Sequence, residues 1–222
     1  MSMTVIVVEG IDETMFSWAD DVVRTKNIVR ALNTTATRAR TKMDRAIREQ
    51  VNFPASYLRP SQGRLTVKQK ATTSRLEATI EGRDRPTMLA RFLPPGQRVV
   101  GGARSGSKLR NKRAQALRVT VKPGSTRTLK KAFVVALRGA EGVPNIGLAV
   151  RTTGGPPSKA YRPTQLKSFG PNVWLLYGPS VNQVLWSVRN QGGVYEQVSD
   201  DVLKDLETEF LRLMDLEAKG VI

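Results

Sequence analysis

The chain has 222 residues, 40% of them hydrophobic, and carries 36 Lys and Arg against 19 Asp and Glu, a formal charge of +17 at pH 7. Cysteine and histidine are both absent, which excludes disulfides, thiolate metal sites and cysteine nucleophiles and removes the commonest general base and metal ligand. The expectation is a non-enzymatic protein without cofactor or metal, whose charge calls for an anionic partner, either nucleic acid or an acidic protein surface.

In chain order, residues 1–14 read as an N-terminal arm. The apolar run Val5–Val8 is far short of the roughly 20 residues of a membrane span, and no basic segment precedes it, so neither a signal peptide nor a membrane partner is expected. A long helix is predicted from Met15 to Glu49. It contains no Gly or Pro, and Val22, Val29, Leu32, Ala36, Ala39, Met43 and Ala46 recur at spacings of three and four. Asp12 is its candidate N-cap and Asn52-Phe53-Pro54 its stop, giving a rod of about 50 Å. Thr34, Arg38, Lys42 and Arg45 form a basic flank, read as solvated or as a binding face.

Residues 53–63, with Pro54, Pro60 and Gly63, form a loop. Leu65 and Val67 alternate with polar residues, as do Leu76, Ala78 and Ile80, which predicts an antiparallel strand pair. Further strands are predicted at Leu117–Lys122, Ala132–Arg138, Gly147–Thr152 and Val173–Tyr177. After Gly178-Pro179, Ser180 opens a short helix with Val181, Val184, Leu185 and Val188 on one face. A final helix is expected to be capped by Ser199, with Asp200 and Asp201 in its first turn, Val202, Leu206, Phe210 and Leu213 inward and Gly220 past its end. The fold class is α+β: a long N-terminal helix, a mostly antiparallel β-sheet, a C-terminal helix packed on the sheet and an extended basic loop. Residues 15–222 are read as a single domain with long loops at 94–114 and 153–172.

The charge is segmented. Residues 1–21 hold five acids and no base, 24–48 eight bases and one acid, 59–138 twenty bases and three acids, and 199–222 seven acids and three bases. This layout suits copies that meet head to tail, or acids that complement helix N-termini. The densest run holds six bases between Arg104 and Arg118. Arg104, Lys108, Arg110, Lys112, Arg113 and Arg118 are therefore the candidate contacts to DNA or to a neighbouring protein. Gly101–Lys108 is no phosphate-binding loop, because Ser107 precedes Lys108 and no buried strand leads in. Phe92 is the one aromatic near the charge able to stack on a base, and Trp174, Trp186 and Tyr177 are expected in the core. The neighbouring acids Asp20-Asp21 and Asp200-Asp201 diverge by about 100° on a helix and do not converge on a metal.

Two segments, Arg75-Leu-Glu-Ala-Thr-Ile-Glu-Gly-Arg-Asp84-Arg-Pro-Thr-Met-Leu-Ala-Arg-Phe92 and Val173-Trp-Leu-Leu-Tyr-Gly178-Pro-Ser-Val-Asn-Gln-Val184, occur in that order behind a long helix. With Leu129–Phe133 and Leu148–Arg151, they make the chain resemble the minor tail protein Z family of tailed bacteriophages and prophages over roughly residues 15–217. The resemblance implies a structural virion protein of tail completion at the head–tail neck. It would be a homo-oligomeric ring, expected to be a hexamer, around the DNA channel, located in the virion and, during assembly, in the host cytoplasm. Its partners would be the head–tail connector, the tail terminator and genomic DNA held without base reading. The family supplies no catalytic motif, so Arg83, Asp84, Arg85, Pro86, Tyr177, Gly178, Pro179 and Ser180 are read as structural. Gly178-Pro179 is read as a sharp strand-to-helix turn, and Arg83, Asp84 and Arg85 as an ion-pair corner or subunit contact. A non-specific nucleic-acid-binding protein acting outside a virion is the alternative, and a metal-dependent nuclease the third reading.

Overall fold

The computed structural model describes residues 21–97, 116–137, 145–153, 167–170, 172–186 and 193–221. The N-terminal arm, the Asp12 cap, the start of the long helix at 15–20, Val188 and most of the 94–114 and 153–172 stretches lie outside them. The fold is α+β, and its strand pairs are all antiparallel. The chain divides into two compact units, one of Met1–Arg48, Ala55–Asp84 and Val181–Ile222, the other of Glu49–Pro54 and Arg85–Ser180.

The first unit is built on α1 (Asp21–Gln50) and α3 (Val194–Ala218). They run antiparallel, since Asn27 Nδ2 meets Met214 Sδ at 3.6 Å, Arg38 pairs with Glu209 at 3.0 Å and Lys42 with Asp205 at 2.8 Å. Between them lie Ala31, Leu32, Ala71, Leu206, Phe210, Leu213 and Met214, with Ile28 and Val29 at the margin. Each fully buried large side chain there contributes about 1.5–3 kcal/mol. Of the expected α1 stripe, Leu32, Ala36, Ala39 and Met43 are buried and Val29 is half-buried. Ala31, Thr35 and Ile47 are buried, Ala46 is half-buried and Val22 lies in solvent. The stripe ends before Val22 on the N-terminal side because the last core residue that α3 offers there is Met214.

The basic flank of α1 is not simply solvated: Arg38 and Lys42 are ion-paired to acids of α3 within one unit. β1 (Leu65–Gln69) and β2 (Thr79–Gly82) form the expected antiparallel pair, with Leu65 opposite Gly82, but Leu76, expected in the second strand, precedes β2 and is exposed. The C-terminal helix packs on this pair as well as on α1: Ala78, Ile80, Val202 and Leu206 share an apolar cavity of about 20 Å³ with Leu32, Thr35, Ala36 and Ala39. Two polar ties fasten the pair to α1. Arg40 donates through Nε to the Leu65 carbonyl at 3.0 Å and through Nη2 to that of Leu58, and Asn33 both donates to and accepts from the Ala71 backbone. Leu58 closes the 3-10 turn Ala55–Leu58.

Helix α3 begins at Val194, earlier than expected. Gly193 takes the N-cap, because a Cβ there would sit 2.1 Å from the Leu185 carbonyl oxygen. Ser199 lies inside the helix with its hydroxyl bonded back to the Glu196 carbonyl, so Asp200 and Asp201 are not first-turn residues. Gly220 follows the helix end at φ 67°, where a side chain is disfavoured. α2 (Val181–Leu185) buries Val181, Val184 and Leu185. Trp186 departs from the expected core position: it follows the last α2 residue, is 42% exposed, and stacks on Tyr195 with ring centroids 4.8 Å apart.

The second unit holds a five-stranded sheet and a two-stranded ribbon. The sheet comprises β3 (Thr87–Met88), β6 (Ala132–Leu137), β7 (Asn145–Arg151), β8 (Lys167–Gly170) and β9 (Val173–Gly178). β7 pairs with one edge of β9, and β8 and β3 follow one another along the other. β8 falls in a stretch expected to be loop. Its Lys-Ser-Phe-Gly sequence has no strand signal, and its pairing comes from the open edge of β9. On one face of this sheet Ala149, Leu175 and Tyr177 are packed with Met88, Phe133, Val135, Leu137 and Val173.

Candidate nucleic-acid interface

The division into units sorts the charge. Residues 49–54 and 85–180 hold 18 of the 36 Lys and Arg but only two acids, Glu49 and Glu141, so 18 less 2 gives +16 of the chain's +17. The other unit has 18 bases and 17 acids, and Arg38 and Lys42 of α1 pair there with Glu209 and Asp205 of α3. No acidic residue occurs between Asp84 and Glu141. Self-repulsion on this scale is relieved by a polyanion.

The described part of that acid-free stretch folds as a ribbon of β4 (Leu117–Lys122) and β5 (Ser125–Leu129), joined by Pro123-Gly124. Proline supplies a fixed φ, and Gly124 takes φ 73°, as a tight turn with Pro-Gly at its centre requires. Leu117 and Val119 are buried and give the ribbon its inner face. The register sets Arg118 opposite Thr128, and strand alternation puts Thr120 and Thr126 on the same outer face, their hydroxyls 2.9 Å apart. The edge of β4 away from β5 is fastened. Asn52 donates from its backbone to Val121 O at 2.8 Å and from its side chain to Thr120 O at 3.2 Å, and Gln97 Oε1 accepts from the Arg118 amide at 2.8 Å. Arg118, Lys122, Arg127, Lys130 and Lys131 are all exposed.

Among the sequence-derived contacts, Arg118 is therefore an exposed strand residue, whereas Arg104, Lys108, Arg110, Lys112 and Arg113 lie outside the described residues. Sequence reasoning passed over Arg127, Lys130 and Lys131: the register pairs Arg127 with Val119, on the ribbon face opposite that of Arg118, and Lys130 and Lys131 follow the end of β5. The Pro-Gly dipeptide after the alternating run Leu117–Lys122 was the available signal. Phe92 is unavailable for base stacking. It is buried, with its ring 5.6 Å from that of Phe53 and its edge against Gly178.

The two distinctive segments meet in space. Thr87, just after Arg83-Asp84-Arg85-Pro86, pairs with Gly178, and Met88 pairs with Tyr177. Gly178 is required by packing, since a Cβ there would lie 2.8 Å from Phe92. β9 ends at Gly178 and α2 begins at Val181, so Pro179 and the fully buried Ser180 make the connection. The Asn182 amide donates to Arg83 O at 3.2 Å, and Asn182 Nδ2 lies 3.5 Å from Asp84 Oδ1. No ion pair joins Arg83, Asp84 and Arg85 among the described residues. Burial pushes the Tyr177 hydroxyl above its usual pKa, and the charge of Arg85 opposes that rise.

Among the described residues no group of three or more Asp and Glu is placed to hold a metal ion, and no helix is long and apolar enough to cross a membrane. No family model, no curated protein and no solved structure matches the chain.

Proposed function

We propose that this chain is a structural subunit of a tailed bacteriophage, a minor tail or tail-completion protein that acts at the head–tail neck as a hexameric ring around the DNA channel. The observation that carries the reading is the separation of charge: one unit bears +16 and the other is close to neutral. A near-neutral unit with internally paired charges suits protein–protein packing, whereas a unit almost free of acids suits a channel that holds phosphates without reading bases. The resemblance of the Arg-Asp-Arg-Pro and Tyr-Gly-Pro-Ser segments to the minor tail protein Z family supplies the setting. The pairing of those segments on adjacent strands supports reading their residues as architectural.

Light scattering on the purified protein, alone and with connector and tail-terminator proteins, tests the proposal. A ring, or a stable complex with either partner, is expected. A strict monomer that joins neither, and whose loss leaves virions intact, overturns it.

A further inference from the structure

We infer that the β4–β5 ribbon is a contact surface for the phosphate backbone of duplex DNA, an assignment that rests on the reading that the protein works beside DNA. Its exposed side chains are those that bind phosphate oxygens. Arg118, Arg127, Lys130 and Lys131 form no ion pair among the described residues, and Thr120, Thr126 and Thr128 add hydroxyls on the Arg118 face.

Three features favour DNA. First, the exposed residues of 122–131 are polar or basic apart from Pro123 and Gly124 at the turn, so no large apolar side chain is offered to a membrane or to a dry protein interface. Second, a two-stranded ribbon fits the major groove, and strand alternation sets Arg118 and Thr120 about 6.6–6.8 Å apart on one face, with Arg127 on the other. Third, Asn52 and Gln97 hold the inner edge of β4, so the surface is organised before binding. Charged side chains protect edge strands from mispairing, but the ribbon carries three bases, Arg118, Lys122 and Arg127, with Lys130 and Lys131 just after it and no acid. The outer face of the paired strands carries no Asn or Gln to read adenine.

The test is a salt titration of full-length protein on a short duplex of arbitrary sequence, from about 50 to 200 mM salt. The wild type is compared with a ribbon variant, R118Q/R127Q/K130Q/K131Q, and with a control that removes the same charge from the other unit, K26Q/R30Q/R59Q/K70Q. Circular dichroism checks that both variants fold. If the ribbon binds DNA, its variant loses up to about 3–4 from the log–log salt slope, roughly 0.9 per phosphate contact removed, while the control loses less than about 1. Equal losses in the two variants show a diffuse charge effect and overturn the assignment, leaving the neck reading intact. The assignment also falls if wild-type protein ignores DNA, or if the ribbon variant keeps full DNA binding but no longer joins a neck protein. Failure of ring formation with DNA binding intact would instead count against the neck reading alone.

Discussion

Arg38 of α1 donates to Glu209 of α3 across 3.0 Å, and this contact joins the two long helices at a carboxylate that is only 5% exposed. Arg212, on the helix of Glu209 itself, donates to the other carboxylate oxygen at 2.7 Å. The Arg212 hydrogen bond is the largest influence holding the Glu209 carboxyl below the usual range. Burial opposes it, and Arg38 adds to it. A depressed folded-state pKa gives stability that is present above the unfolded value of about 4.3 and is lost as the pH falls through the folded value.

Glu209→Gln should therefore destabilise the protein by about 1–3 kcal/mol at neutral pH, since charge-assisted bonds to a buried carboxylate are lost. Urea unfolding measured down the pH scale should show the gap between variant and wild type shrinking below about pH 4. A gap that stays constant with pH would show that the two arginines contribute packing alone.

Asn33 works as a substitute strand, bonding both the amide of Ala71 at 2.8 Å and its carbonyl at 3.0 Å. Asn33→Ala should cost about 1–3 kcal/mol because both backbone groups lose their partner. Hydrogen exchange at the Ala71 amide should rise more than the global loss of stability accounts for. If protection there simply follows global unfolding, the tie is redundant.

Gly178→Ala puts a methyl group 2.8 Å from the Phe92 ring, which is itself held against Phe53. Overpacking of this kind costs about 1–3 kcal/mol. Pairing the change with Phe92→Leu should restore part of the loss, giving a favourable coupling in a double-mutant cycle. Strict additivity would place the role of Gly178 in its backbone and not in its packing.

Thr35 has the reverse problem. Its hydroxyl is buried without a hydrogen-bond partner among the described residues and lines the small apolar cavity between α1, α3 and the β1–β2 pair. The cavity is large enough for one water, but its other lining residues are all apolar, too few polar partners to hold one. Thr35→Val keeps the shape and removes the stranded hydroxyl, so it should stabilise by about 1 kcal/mol in thermal or urea unfolding. A neutral or destabilising result would mean that the hydroxyl is satisfied in solution.

Strong local signals were legible along the chain. Three- and four-residue spacing marks α1 and α3, continuous apolar runs mark β6, β7 and β9, and Asn52-Phe53-Pro54 ends the first helix. β5 and β8 were not legible, because Ser-Thr-Arg-Thr and Lys-Ser-Phe-Gly carry little apolar alternation and become strands only by hydrogen-bonding to β4 and β9. The N-terminus of α3 was misplaced for a related reason. Ser199 has the right chemistry for a cap, but the close approach of the Leu185 carbonyl to Gly193 is a contact between residues distant enough in the chain to leave no local mark.

By itself the amino-acid sequence determined the composition of this protein: no histidine or cysteine, a +17 charge, and a 56-residue stretch from 85 to 140 without an acid. Only the tertiary structure decided which of those charges are still available. Opposite charges that lie far apart in sequence cancel where helices pack, as Arg38 and Lys42 do with Glu209 and Asp205. Arg118, Arg127, Lys130 and Lys131 meet no acid among the described residues, because hairpin pairing gathers bases from a stretch that has none to offer.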